Sequence, residues 1–328
     1  MLSNSLSRAV FALASLSALA AQATFAAVTS TDAPISALHL IGLENVKSQS
    51  GGKLSILGDA LVFRSRKSQG TVAISAIDDI LLGSETTQAG GNTGKVFKVA
   101  AIAAPYEAGK FLSVLMWTKV DVLTVLYRDG NGGIHSAIFE VPQGQGTGLR
   151  TQLIAAGAHA PASIPVVPAA QITPPANVAA LSSTHIQIEP PEAGALSVPA
   201  EYLFTGYERL IERVRHDGEF QKVFRSGDRD AKDVSDLVVL RTKVSRFKEG
   251  NQLLRELLDL FGWTSLDVTA TIEGRDGTVL LSQNLSGRVH FFGENLGVTN
   301  DLAKHVAKLL REKFPPGPAV VPKVVSAD

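Results

Sequence analysis

Three long runs of alternating apolar and polar residues, followed by one amphipathic helical stretch, occupy residues 236–314 and restrict the fold more than any other feature of the chain. In 236–248, Val238, Leu240, Thr242 and Val244 share one face; in 264–273, Leu266, Val268, Ala270 and Ile272 do. In 278–291 the apolar row is Val279, Leu281, Leu285, Val289 and Phe291, opposed by Ser282, Asn284, Ser286, Arg288 and His290. Successive side chains of a strand point to opposite sides, so each run predicts a strand with one buried and one wetted face. Residues 273–277 (EGRDG) carry tight-turn chemistry and predict that the second and third runs pair as a hairpin. Beyond them, Leu302, Val306, Leu309 and Leu310 recur at helical spacing, with Thr299 or Asn300 as the expected N-cap. Asp301 stands in the first turn, Lys308, Arg311 and Lys313 near the end, and Pro315 and Pro316 stop the helix.

Upstream, 185–189 reads as a short strand ended by Pro190 and Pro191, and 220–224 as another. Between them 201–215 is an amphipathic helix with Leu203, Tyr207, Leu210, Ile211 and Val214 on one face. The succession of IQIEP (186–190), a helix, DLVVLRTKVSRF (236–247), a loop, two long strands and a C-terminal helix resembles the DUF4410 family. That group comprises exported bacterial proteins, often lipoproteins, of unassigned function. The resemblance implies a fold similar to the N-terminal domain of TolB, a mixed sheet with helices on one face, and brings no functional residues with it. The chain departs from the family in lacking a cysteine to lipidate.

Residues 38–157 read as a meander of short strands: 53–57, a Gly58-Asp59 turn, 60–66, 71–74 and 77–86, then 120–128 and 134–141 flanking the hairpin signal DGNGG at 129–133. A short helix follows at 146–156. This order resembles the PH-like and GRAM-like domains, above all in DALVF (59–63), TVAIS (71–75) and IDDI (77–80). The expected class is therefore α+β, with a mostly-β PH-like barrel or curled sheet followed by a mixed sheet carrying helices. The more apolar stretch 95–117 departs from such barrels.

Five prolines within 158–175 forbid helix and predict an extended spacer, here taken as 158–183, before a second domain at 184–314. The Pro- and Val-rich 315–328 predicts a disordered tail. At the start, Arg8 precedes an apolar run, 9–21, and Ala-rich cleavage sequences; that run is shorter than the roughly 20 residues of a membrane span. Residues 1–26 are thus expected to be a signal peptide and the protein periplasmic or secreted, with membrane contact possible but no span in the mature chain. Lys plus Arg and Asp plus Glu are both 31, which gives no global field for nucleic acid.

No nucleophile elbow or zinc-protease spacing occurs, and the seven histidines are scattered. Residues 90–95 approach a phosphate-binding loop, but Ala89 and Val96 stand where Gly and Ser or Thr are needed. Asp228, Asp230, Asp233 and Asp236 approach a calcium loop, but Lys232 and Val239 occupy ligand positions. Asp78 and Asp79 are adjacent in a strand and point to opposite faces. No catalytic, cofactor-binding or metal residues are therefore assigned. The candidate interaction residues are Leu253, Leu254, Leu257, Leu258 and Phe261, the apolar side of a short helix linking two strands, together with Trp263 at the end of that stretch. The expectation is an exported, non-catalytic binding protein of the bacterial envelope with a protein partner. The alternative is a carrier of an apolar ligand or lipid, with a pocket lined by Val99, Ile102, Phe111 and Leu115. An enzyme is the third reading.

Overall fold

The computed structural model describes residues 33–88, 117–159, 183–250, 263–289 and 295–315. Strands β1 (Ile35–Ile41), β2 (Ser50–Leu57), β3 (Ala60–Ser65), β4 (Gln69–Ala73), β5 (Ile77–Gln88), β6 (Trp117–Arg128) and β7 (Ile134–Pro142) form one sheet, followed by helix α1 (Gln145–Ala155). Every pairing is antiparallel, in the order β4-β3-β2-β1-β7-β6-β5. The second sheet comprises β8 (His185–Ile188), β9 (Lys222–Arg225), β10 (Leu237–Lys248), β11 (Thr264–Gly274) and β12 (Val279–Val289). Helix α2 (Ala200–Asp217) follows β8, and α3 (Gly297–Lys313) follows β12. In the order β12-β11-β10-β8-β9, β8 runs parallel to both neighbours while β10, β11 and β12 are antiparallel. The class is α+β, and the second sheet is mixed with helices on one face.

The first sheet is not closed into a barrel, because β4 and β5 are its two edges. The curled form of the expectation holds: all seven strands feed one cluster, from Ala37, Leu54, Phe63 and Val72 to Ile80, Leu123 and Phe139, with Leu149 and Leu153 of α1 against it. The start of the β5 edge is satisfied without closure. The Arg150 guanidinium donates to the Ile80 carbonyl (2.9 Å), the His159 N–H donates to the Ile77 carbonyl (3.3 Å), and the Asp79 carboxylate accepts the Ile80 N–H (2.7 Å).

Strands β1, β6 and β7 bury both faces. Leu123, Val125, Ala137 and Phe139 point into the first core, while Leu40, Val122 and Ile138 join a second cluster built on α2 and the second sheet. The two sheets thus share α2 as a common layer. The sequence predicts one apolar stripe on this helix, yet residues 201–208 are all buried, Phe204 and Glu208 included. Each large apolar side chain so covered contributes roughly 1.5–3 kcal/mol. Gly218, at φ 75, ends α2 in the left-handed conformation that glycine adopts without steric cost.

Helix α3 starts earlier than expected, at Gly297 with Leu296 in the cap position and no side-chain cap. Thr299 is fully buried and donates its hydroxyl back to the Leu296 carbonyl (2.7 Å), so it is unavailable as a cap.

His39 lies inside the first core, its ring 5.7 Å from Phe63 and 5.6 Å from Phe139. Its Nε2 accepts the Leu43 N–H (3.1 Å), which assigns the ring proton to Nδ1, facing the Lys47 carbonyl. Burial lowers its pKa below the ordinary 6.5. Between the folded value and 6.5 the unfolded chain therefore holds a proton that the folded chain rejects, so this contribution is full above pH 6.5 and is lost as pH falls below it. Denaturant titrations between pH 7.5 and 5.5 should show falling stability, and His39→Gln, which keeps an acceptor for Leu43, should flatten that slope. An unchanged slope in the variant rejects the assignment.

Candidate functional site

The candidate stretch leaves the second sheet between β10 and β11. Leu253, Leu254, Leu257, Leu258 and Phe261 lie outside the described residues, but both ends are placed. The Gly250 N–H donates to the Thr264 hydroxyl (3.0 Å), which itself donates to Asn295 Oδ1 (2.9 Å), so entry and exit are clamped together. Trp263 is 40% exposed, with the Lys248 ammonium 4.8 Å from its ring centroid. The start of α2 packs nearby: the Tyr202 ring lies 4.8 Å from Phe247 and its hydroxyl donates to Glu249 (3.1 Å). One residue earlier, the buried Glu201 carboxyl lies against Gly83 of β5, where any Cβ would collide with it. Burial raises the Glu201 pKa. The first turn of α2 therefore touches β5, which leads to 89–116, and β10, which leads to 251–262. The carrier-pocket residues Val99, Ile102, Phe111 and Leu115, and the glycine loop 90–95, lie outside the described residues.

Where the sheets meet, a buried ion pair absent from the sequence reading holds them. Arg225 of β9 and Glu208 of α2 form a two-point bridge (2.8 and 2.7 Å), their side chains 7% and 3% exposed. Glu208 Oε1 also accepts the Ser136 N–H (2.8 Å) and hydroxyl (3.0 Å) from β7, and Arg225 donates to the Ile134 carbonyl (3.0 Å). Burial opposes the charge on Arg225, but the Glu208 carboxylate outweighs it and holds the guanidinium above its ordinary pKa. The seam continues in backbone: the Ile134 N–H donates to the Ser226 carbonyl (2.9 Å) and the Arg229 N–H to the Asn131 carbonyl (3.0 Å). Phe204 and Tyr202, off the expected stripe of α2, were the available sign that this helix has two buried sides.

Glu44, Asp129 and His135 bring one ligand atom each within 4.8 Å of one another. Their geometry suits a hydrogen-bonded pin better than a metal. Asp129 Oδ1 accepts the Asn131 and Gly133 N–H groups (2.8 and 2.9 Å), and Oδ2 lies 3.0 Å from His135 Nε2. Burial would raise the Asp129 pKa, and the His135 hydrogen bond with the two N–H donors lowers it instead. A metal-bound imidazole hands its other ring N–H to an acceptor, whereas His135 Nδ1 is buried with no hydrogen-bond partner among the described residues. The proton thus sits on Nε2 and is donated to Asp129, which stabilises the turn that docks on β9.

The aspartates of 228–236 do not converge. Asp228 accepts the Arg225 N–H (2.7 Å), Asp230 pairs with Lys222 (3.0 Å), and Asp236 pairs with His185 (2.8 Å). Asp78 pairs with Arg128 (2.8 Å) while Asp79 is buried, which places the two on opposite faces. On the wetted side of the second sheet, Arg241–Glu273 (3.0 Å), Arg246–Asp267 (2.6 Å), Ser286–Asp267 (2.7 Å) and Thr269–Asn284 (2.8 Å) are cross-strand pairs.

No protein-family model matches this chain, and no curated protein matches it. Among solved structures it is similar to a singly substituted PelC dodecamer from Paraburkholderia phytofirmans, with 16% identity, a TM-score of 0.31, and coverage of 44% of this chain and 95% of the other. A second PelC dodecamer from the same organism is 14% identical at a TM-score of 0.31, over 44% of this chain and 94% of the other. A likeness at that score decides neither fold nor function.

The seam is open to measurement. Glu208→Ala leaves a buried guanidinium without its carboxylate and should cost about 3–5 kcal/mol in denaturant unfolding. Adding Arg225→Met to it should recover part of that loss, because the uncompensated charge is removed with its partner. A cost below about 1 kcal/mol for Glu208→Ala, the range of an exposed pair, refutes the burial argument.

Proposed function

We propose that this chain is an exported, non-catalytic binding protein of the bacterial envelope that presents the stretch from Leu253 to Trp263 to a protein partner. The observation that supports the reading is where the chain leaves and re-enters the second sheet on either side of that stretch. The stretch connects two inner strands, β10 and β11, whose apolar rows, Val244 and Leu240 on β10 and Leu266 and Val268 on β11, already share a core with α2 and α3. Its ends are held together at Gly250 and Thr264, and Trp263 at its exit is partly exposed beside Lys248. A cluster of leucines on a connection whose ends are clamped together is the composition of an anchoring contact. The apolar run and small-residue cleavage sequences within residues 1–26 support export.

The test is photo-crosslinking in cells from a photoreactive residue substituted for Leu257, with mass spectrometry of the adducts. One dominant protein adduct, reduced at least tenfold when Leu253 and Leu254 are both changed to Ser, is the expected result. Crosslinks confined to this chain's own first domain overturn the proposal, and lipid adducts replace it with the carrier reading.

A further inference from the structure

The two sheets present edges at β4, β5, β9 and β12; β4 and β9 are short, and β5 is shielded at its start. Strand β4 has five residues. The β5 edge is engaged by Arg150, His159 and Asp79 at its start, Ile77 and Ile80, and the strand carries three acidic residues, Asp78, Asp79 and Glu85. Strand β9 has four residues, with Arg215 donating to the Val223 carbonyl (3.2 Å) and Asp228 accepting the Arg225 N–H (2.7 Å). Strand β12 differs. It runs for 11 residues with no proline or lysine, and Arg288 is its one charged side chain. Long edges without such protection pair with other strands.

Helix α3 covers only the last part of this edge. Asp301 accepts the Arg288 N–H (3.0 Å), and His305 Nδ1 donates to the Ser286 carbonyl (2.6 Å). These contacts fix the phase: the backbone groups of Ser286 and Arg288 face away from β11. Ser282 and Asn284 follow in the same phase, opposite Thr271 and Thr269 in the register, and their outward N–H and C=O groups have no partner among the described residues.

We propose that β12 pairs antiparallel with β12 of a second copy of this chain, about a two-fold axis at Gln283. The partner is identified by self-complementarity. About that axis Ser282 of each copy lies opposite Asn284 of the other, and the pair exchanges both backbone bonds. Leu281 lies opposite Leu285 on the helix side, where both are only partly buried against the core. On the wetted side, Asn284 Oδ1 accepts the Thr269 hydroxyl (2.8 Å), which leaves its NH2 to donate to Ser282 Oγ of the other copy. Over residues 281–285, ahead of the part of the edge that α3 covers, polar and apolar rows match under one rotation and make a closed, isologous contact that joins two five-stranded sheets into one. This inference uses a different surface from the Leu253–Trp263 contact and does not rest on it.

The absence of cysteine makes the test clean, because Gln283→Cys creates a single thiol. At the axis it forms a non-hydrogen-bonded pair with Cα atoms about 4.5 Å apart, within the roughly 4.4–6.8 Å of disulfides. The expected result is a disulfide-linked dimer on mild oxidation of Gln283→Cys but not of Gln69→Cys on the β4 edge. The unmodified protein should sediment at twice the chain mass, and Ser282→Lys with Asn284→Lys should sediment at the chain mass with an unchanged circular dichroism spectrum. A monomeric unmodified protein, a dimer that survives both lysines, or a dimer in which Gln283→Cys fails to cross-link would each overturn the proposal.

Discussion

The bridge between Glu208 and Arg225 is the interaction on which the arrangement of the two sheets depends. Desolvating two opposite charges costs several kcal/mol per ion, which mutual attraction offsets only when the remaining hydrogen-bonding capacity is also met. Ser136 supplies two donors to the carboxylate and Ile134 an acceptor to the guanidinium, both from β7, which meets part of that capacity; Arg225 Nε is buried without a hydrogen-bond partner among the described residues. The pair therefore requires β7, α2 and β9 together. An apolar contact in the same place would tolerate sliding, whereas this network has one register, since a shift along β7 of one residue would turn Ser136 to the other face.

That constraint explains how the molecule distributes its apolar surface. With α2 as a shared layer, β1, β6 and β7 must bury both faces, and their sequences are correspondingly rich in Val, Leu, Ile and Phe without strict alternation. The second sheet keeps a wetted face, and there the ion pairs and hydroxyl bonds run across strands rather than into the core. The Asp129–Gly133 turn, locked by its own aspartate and by His135, becomes the second fastening, because its backbone meets Ser226 and Arg229.

The parts of this fold legible in the sequence are those governed by local periodicity. The alternation of Val238, Leu240, Thr242 and Val244 announces β10 and its buried face, and the EGRDG turn announces the β11–β12 hairpin. Features set by distant partners were not legible. Tyr202 and Phe204 hint at a second buried side of α2, but Glu208 reads as the outer side of an amphipathic helix, since nothing local reports that a second sheet will cover it. The unclosed first sheet has the same origin: Arg150 and His159, far along the chain from β5, engage the start of the edge that closure would otherwise have to pair. Of the candidate interaction residues, only Trp263 is described, and the clamp through Thr264 and Asn295 joins residues with no shared sequence pattern.

Edge protection follows the same logic as the core. Both β5 and β12 are long edges, but α1 and the segment after it turn back over β5, whereas α3 leaves β12 after its last turns and crosses the face of the second sheet. The crossing is forced at Gly287, where any Cβ would strike the Val298 carbonyl and Leu302, so α3 lies too close to the sheet there to shield the rest of the edge. Packing α3 against α2 and the sheet completes the second core, and Val298, Ala303, Val306 and Leu310 are buried in doing so. A helix positioned to cover the β12 edge instead would expose those residues and open the core beside α2. The same packing that joins the two sheets through α2 therefore leaves Ser282 and Asn284 facing outward.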